Sequence, residues 1–251
     1  MYKAVLERIR QKHRTTKYPA EPARLPELFR GYPRLDQDLC PDGCDACAGV
    51  CPTGAISNRN GLELDMGTCL FCPECLRACP TGAVAFERDE KLSASNREDL
   101  LVRQGEERKL AHALDKELVS LFGRSFKLRE VSAGGCNACE ADTNVLSTVG
   151  FDLGRFGIQF VASPRHADGI FVTGPVTENM RIALLKTWEA IPGPKVVIAS
   201  GACAISGGPY RGNQEVHDGV DKFLPVDLYI PGCPPHPLTI LDGLLRLIGR
   251  L

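Results

Sequence analysis

From residue 126 onward, short apolar runs alternate with longer amphipathic stretches. The runs 126–131, 158–161, 169–173, 195–200 and 226–230 are four to six residues long and carry much of the local Val, Ile and Phe. Runs of that length and composition predict buried strands. Between and after them, 178–190 and 237–249 predict helices. The second opens on Pro237, and its polar residues Thr239, Asp242, Arg246 and Arg250 recur every three or four positions among Leu and Ile, so one face is buried. Strands alternating with helices predict an α/β domain, a parallel, doubly wound sheet of flavodoxin-like kind, over 126–251.

The first half reads differently. Residues 1–14 predict a basic, amphipathic helix suited to a partner subunit, with an anionic membrane surface as the other option. Residues 1–34 form an arm, and 35–90 hold a compact cysteine-rich α+β unit of ferredoxin-like kind. A helical connector is expected over 91–125. Ser95 and Glu98 make a capping box there, Gly123 a C-cap, and Leu100, Leu101, Leu110, Ala113, Leu114, Leu118 and Leu121 an apolar stripe, with Gly105 a break near its middle. Packing on its own domains is the expected role of this connector.

The cysteines change the picture most. Two segments, CDACAGVCPTGAI from Cys44 and CPECLRACPTGAV from Cys72, repeat at an offset of 28 residues. The pattern C-x2-C-x3-C-P is that of two-cluster ferredoxins: three close thiolates hold one 4Fe–4S cubane, and the cysteine before proline completes the other. The spacing therefore assigns Cys40, Cys44, Cys47 and Cys79 to one cluster. It assigns Cys69, Cys72, Cys75 and Cys51 to a second. Cys69 has the usual x2 spacing to Cys72, whereas three residues separate Cys40 from Cys44, so the first loop carries one extra residue. A zinc ribbon shares the C-x2-C pairs but does not require the x3-C-P closure or the duplication. A disulfide scaffold needs an oxidising compartment, for which no export signal is apparent.

The other four cysteines each follow a predicted strand: Cys136 and Cys139 in SAGGCNACEAD, Cys203 in SGACAISGGPY, and Cys233 in IPGCPPHP. A doubly wound sheet gathers its site at the carboxyl ends of its strands, so the three loops are placed to converge on one point. Gly135, Gly201 and Gly232, with Gly134, Gly207 and Gly208, allow close backbone approach to a group held there. Pattern alone leaves two plainer readings open: a thioredoxin-like pair at Cys136–Cys139, and small buried hydrophobes at Cys203 and Cys233.

Composition narrows the class. In 251 residues, 30 Lys and Arg stand against 31 Asp and Glu, which lacks the basic excess of a nucleic-acid binder, and none is expected as a partner. No apolar stretch is long enough to span a bilayer, and the charged start is unlike a secretory signal, so a cytoplasmic location is expected. No P-loop or GxGxxG occurs, so nucleotide phosphate is not indicated.

The stretches GGCNACE, RFGIQFVASPRHADGIFVTGPVTENM, ASGACAISGG and VDLYIPGCPPHP stand in one order over 131–251. They resemble the small iron–sulfur subunit of membrane-bound nickel–iron hydrogenases of the formate hydrogenlyase and energy-converting type, which is related to the small cluster-bearing subunit of complex I. The resemblance implies that Cys136, Cys139, Cys203 and Cys233 ligate a third 4Fe–4S cluster. The C-x2-C spacing at 136–139 follows the hydrogenase branch, since complex I subunits look to have adjacent cysteines there. Ala138, where the family usually reads glycine, and Asp142, where a longer acidic side chain is common, depart from the pattern. Residues 1–90 resemble the ferredoxin-like subunit that relays electrons in the same complexes, so the chain reads as a fusion of two neighbours.

The implied function is electron relay to an active site in a separate large nickel–iron-type subunit. Membrane subunits, with which the chain would sit peripherally on the inner face of the cell membrane, and a redox donor or acceptor protein complete the expected partners. Two alternatives are an equivalent subunit of a complex I-like oxidoreductase without nickel, acting on quinone or another carrier, and a stand-alone electron carrier. His166 and His236 are expected outside the ligand set, and Glu140 as a solvated or hydrogen-bonded carboxylate. No residue is expected to be catalytic.

Overall fold

The computed structural model describes residues 2–12 and 14–251. Its first helix, α1 (Tyr2–Gln11), buries none of its residues and leaves Tyr2, Val5, Leu6 and Ile9 exposed. Residues 1 and 13, at the ends of the helix expected over 1–14, lie outside the described ones.

The duplicated sequence folds as a duplicated unit. β1 (Pro33–Leu35), α2 (Ala46–Gly49), β2 (Ile56–Ser57), β3 (Glu63–Asp65), α3 (Glu74–Ala78) and β4 (Val84–Phe86) follow in order. Each cysteine run enters a short helix, and each C-P-T-G-A turn leads into a strand, β2 or β4. β1 pairs antiparallel with β4, and β2 pairs antiparallel with β3.

The connector departs from expectation. After a single helical turn at Glu98–Leu100 comes a strand, β5 (Leu101–Arg103), and helix is confined to α4 (Lys116–Phe122). The reason lies in what β5 touches. β3 has one free edge, and Leu101, Val102 and Arg103 pair with Asp65, Leu64 and Glu63 to close it, burying Val102. Ser95 caps no helix: its hydroxyl accepts from the His112 amide at 3.1 Å. Gly105, at φ +78°, then turns the chain back. Gly123 does stand at the C-cap of α4, and Asp115 caps its start by accepting from the Leu118 amide.

The second half is the doubly wound sheet. Its strands are β6 (Phe126–Ser132), β7 (Ile158–Phe160), β8 (Gly169–Thr173), β9 (Val196–Ser200) and β10 (Leu228–Ile230), with α5 (Ala138–Val145), α6 (Glu178–Ala190), α7 (Ala202–Ser206) and α8 (Pro237–Leu247). All pairings are parallel, in the spatial order β7-β6-β8-β9-β10. Counted within this domain the order is 2-1-3-4-5, that of flavodoxin-like folds, with the switch point between β6 and β8. Every residue of β8, β9 and β10 is buried, as a sheet covered on both faces requires.

One hydrophobic core contains Leu184 of α6 with Val197 and Ala199 of β9 and continues without a break into Met66, Leu64 and Ile56 of the cysteine-rich unit. The other holds α8 against the opposite face. Polar stitches fix the two halves together. Ala94 and Tyr229 exchange two backbone hydrogen bonds (3.1 and 2.9 Å), and the Ser206 hydroxyl donates to the Gly67 carbonyl at 3.0 Å. The arm is tied down too: Arg155 donates to the carbonyls of Thr16 and Tyr18, and the Tyr18 hydroxyl donates to buried Asp242 at 2.8 Å. Among the described residues no helix is long and apolar enough to cross a membrane.

Candidate metal centres

The twelve cysteines, all free thiols, gather in three places. Cys40, Cys44, Cys47 and Cys79 line one cavity, and Cys51, Cys69, Cys72 and Cys75 line a second. Each cavity thus takes three thiols from one run and the fourth from the other, because the proline turn after α2 or α3 carries the last cysteine away from its own run.

That turn also aims donors at the last sulfur. Burial by itself raises the Cys51 thiol, but the amides of Thr53, Ala55 and Ile56 and the Thr53 hydroxyl outweigh it and hold the group below its ordinary value. The Ala55 amide stands 3.2 Å from Cys51 Sγ. Cys79 repeats the arrangement: burial raises it, and the amides of Thr81, Val84 and Ala83 with the Thr81 hydroxyl bring it below the ordinary value. The repeated C-P-T-G-A text is therefore a device for stabilising a thiolate.

Cys40, Cys47, Cys69 and Cys75 shift the other way. Cys69 is pushed up to about 12, first by burial, although the Phe71 amide opposes this, and then by the charges of Cys75, Cys51 and Cys72. Burial, with Cys72 next, raises Cys75 to about 11.

The third group forms at the carboxyl ends of β6, β9 and β10. Cys139 is raised by burial and by Cys203, Glu140, Cys233 and Cys136, and Cys203 reaches about 12 by burial, Cys233, Cys136 and Glu140. The loops meet tightly. Gly201, at φ +90°, lets the chain pass where a Cβ would stand 2.6 Å from Cys139 Sγ. Gly208 is similarly close to Cys203 Sγ, whereas Gly135 fits against Gly174 and Gly232 against Pro235. These last two glycines shape the loops. Cys203 is buried, while Cys136 and Cys233 are exposed, so one side of this group opens to the surface.

Each set brings four thiols from separate turns of the chain to one place, a donor chemistry that fits an iron–sulfur group. A single zinc ion with Zn–S bonds of about 2.3 Å would draw its sulfurs to within about 3.8 Å of one another. No three His, Cys, Asp or Glu side chains among the described residues converge so as to hold one ion. A cubane, liganded at its four corners, suits more widely set sulfurs.

Two neighbours qualify the expectations. Glu140 is buried and accepts from the Thr173 hydroxyl at 2.6 Å, a hydrogen-bonded carboxylate. His236 is the N-cap of α8: its Nδ1 accepts from the Leu238 amide at 3.2 Å, its ring meets Phe29 edge-on at 5.2 Å, and burial lowers its pKa. His166 is exposed. Glu130, on β6, stands out only in the folded chain. Burial and then the Glu140 charge raise it to about 7 against the opposing Arg129, and one of its oxygens has no hydrogen-bond partner. As one acidic residue inside a strand, it gives no signal in the pattern.

A flavodoxin-like sheet with thiols at its strand ends, preceded by a duplicated cysteine-rich unit, defines a thiol-lined scaffold of redox-protein type. Residues 136–247 match the family of the NADH ubiquinone oxidoreductase 20 kDa subunit. Among the relatives, the formate hydrogenlyase subunit 7 of Escherichia coli is 43% identical over 139 residues, 55% of this chain and 54% of that protein. The probable membrane-bound hydrogenase subunit mbhJ of Pyrococcus furiosus is 38% identical over 58% of this chain and 87% of its own length. A subunit of the NADH-quinone oxidoreductase of Heliobacterium modesticaldum is 42% identical over 54% and 77%. The chain belongs to the family of the NADH ubiquinone oxidoreductase 20 kDa subunit. It spans about half the length of the formate hydrogenlyase relative, and the family match leaves residues 1–135 outside it.

Proposed function

We propose that this chain is the electron-relay subunit of a membrane-associated nickel–iron hydrogenase complex. Its three thiol quartets, Cys40/Cys44/Cys47/Cys79, Cys51/Cys69/Cys72/Cys75 and Cys136/Cys139/Cys203/Cys233, hold three 4Fe–4S clusters. When bound, such clusters supply one-electron transfer at potentials that hydrogen bonds to sulfur, charge and solvent exposure adjust. One observation carries the reading. Cys72 and Cys233 line the same cavity, so the second quartet sits beside the third, which in turn opens to the surface.

The chain's own residues do three things in this scheme. Their thiolates hold the iron; the amides and hydroxyls at Cys51 and Cys79 favour the more negative state of whatever those sulfurs bind. Between Cys72 and Cys233, Phe71, Pro73, Leu92 and Pro234 wall the cavity with apolar surface. The ferredoxin-like unit receives from, or delivers to, a redox protein. The exposed side at Cys136 and Cys233 faces a large catalytic subunit, and membrane subunits of the complex keep the chain peripheral at the inner face of the membrane.

The names of the formate hydrogenlyase and membrane-bound hydrogenase relatives, and the C-x2-C spacing at Cys136, favour a hydrogenase terminus. The comparable identity to the NADH-quinone oxidoreductase relative supports a second reading, the same wire ending at a nickel-free, quinone-linked site. Purifying the native complex decides between them. Nickel together with hydrogen evolution from reduced dye is expected; iron alone, with no hydrogen evolution, would overturn the first reading.

A further inference from the structure

The two cysteine loops solve the same problem in different ways. In the second, Cys69-Leu70-Phe71-Cys72, Phe71 sits at φ +53° and its amide donates to Cys69 Sγ at 3.2 Å. A non-glycine residue is costly in that conformation. It is kept there by burial of the Phe71 ring near Phe86 and by Arg30 donating to its carbonyl at 2.6 Å. The 28-residue offset places Gly43 at the same point of the first loop, and it too is left-handed, at φ +71°. Here the extra residue moves the cysteine one position further back. The segment Pro41-Asp42-Gly43-Cys44 closes on itself, the Cys44 amide donating to the Pro41 carbonyl at 3.0 Å, with glycine where a turn of type II needs positive φ.

The donor that reaches Cys40 Sγ comes instead from outside the loop. Asn58 Nδ2 stands 3.4 Å from that sulfur and 2.8 Å from the Cys44 carbonyl. Both partners are acceptors, which fixes the orientation of the amide. One side chain thus spans the two cysteines at either end of the widened loop. At the matching position of the second repeat stands Phe86, which has no donor to offer.

We infer that Asn58 is the positioning residue of the first site: it substitutes for the backbone amide displaced by the inserted residue and sets the placement and redox potential of the group that Cys40 holds. The inference rests on the reading that Cys40 is a cluster ligand. A donor to sulfur stabilises the reduced, more negative cluster, so its loss lowers the potential. A hydrogen bond to a charged group is worth about tenfold in equilibrium, or about 59 mV for a one-electron couple.

The test is a redox titration of the full-length, anaerobically reconstituted chain, following each cluster by electron paramagnetic resonance. Asn58→Leu should shift one cluster about tenfold toward the oxidised state and leave the other two in place. Deleting Asp42, which restores the C-x2-C spacing, should return most of the shift in the Asn58→Leu background. If Asn58→Leu does not load, Asn58→Ser decides, because Asn58 is half-exposed and outside both hydrophobic cores. Loss of that cluster alone, regained on deleting Asp42, supports the role; loss that is not regained counts against it. Unchanged potentials in both variants overturn it. A wild-type chain with about eight rather than twelve iron atoms, and no signal lost in Cys40→Ala, would instead remove Cys40 from the ligand set.

Discussion

Gly201 passes so close to Cys139 that a β-carbon there would stand 2.6 Å from the thiol sulfur. Its φ of +90° adds a second obstacle to any side chain. The strand-end loop after β9 therefore depends on glycine for both its path and its approach to a thiol from another loop. Gly201→Ala should cost on the order of 1–3 kcal/mol locally and displace Cys139. The expected result is loss of one cluster signal, with iron falling from about twelve to about eight per chain, while both ferredoxin-like signals persist. Retention of all three signals would show that this loop relaxes without consequence.

The cavities pair cysteines across the two runs, so substitutions should fall into groups that sequence neighbourhood does not predict. Cys79→Ala is expected to remove the same spectroscopic signal as Cys44→Ala, although Cys79 lies in the other run. Cys51→Ala and Cys72→Ala should together define a different signal. Each variant loses about four iron atoms per chain. Were Cys79→Ala to group with Cys72→Ala, the crossed pairing would be wrong.

Glu130 gives a pH dependence in an accessible range. Burial and the neighbouring Glu140 raise its pKa to about 7, above the ordinary glutamate value of about 4.3 in the unfolded chain. The folded protein then binds more protons than the unfolded one between these values, so stability falls as pH rises through that window. Glu130→Gln removes the ionisation. Thermal midpoints measured anaerobically at one scan rate should decline from pH 5 to 8 in the wild type and change less in the variant. At pH 8 the variant should be the more stable of the two. Parallel pH profiles for the two proteins would assign the burial cost elsewhere.

How much of this was legible in the sequence depends on the range over which each feature is decided. The strands 126–131, 169–173 and 195–200 announce themselves because both faces of a parallel sheet are covered, leaving continuous apolar runs. The cysteine quartets are legible because ligand spacing is a local constraint that the duplication states twice. The connector misleads for the opposite reason. Its leucines carry a helical period, yet the free edge of β3 offers Leu101–Arg103 backbone partners that a helix forgoes. Asn58 and Glu130 were invisible because a lone polar residue takes its meaning from what the fold brings against it. The family resemblance supplied the third quartet where spacing alone left plainer readings open.

The same long-range logic governs the join between the halves. Arg97, in the connector, grips Asp65, at the end of β3, through two hydrogen bonds of 2.7 and 2.6 Å. Burial raises the Asp65 carboxyl, but the Arg97 guanidinium, the Thr68 hydroxyl and the Gly67 amide outweigh it and hold it below the usual range. The pair stands beside Gly67, whose carbonyl accepts from Ser206 of α7, so it braces the contact between the cysteine-rich unit and the sheet domain. Arg97→Met leaves a half-buried carboxylate without its main partner and should destabilise by about 2 kcal/mol. Asp65→Asn should cost a similar amount, and the double variant less than the sum, giving a positive coupling in a double-mutant cycle. Urea midpoints of the four proteins at neutral pH measure it directly. Strict additivity would mean that the guanidinium and carboxylate act on stability independently, and that the join is held by the Ala94–Tyr229 bridge and the shared apolar core instead.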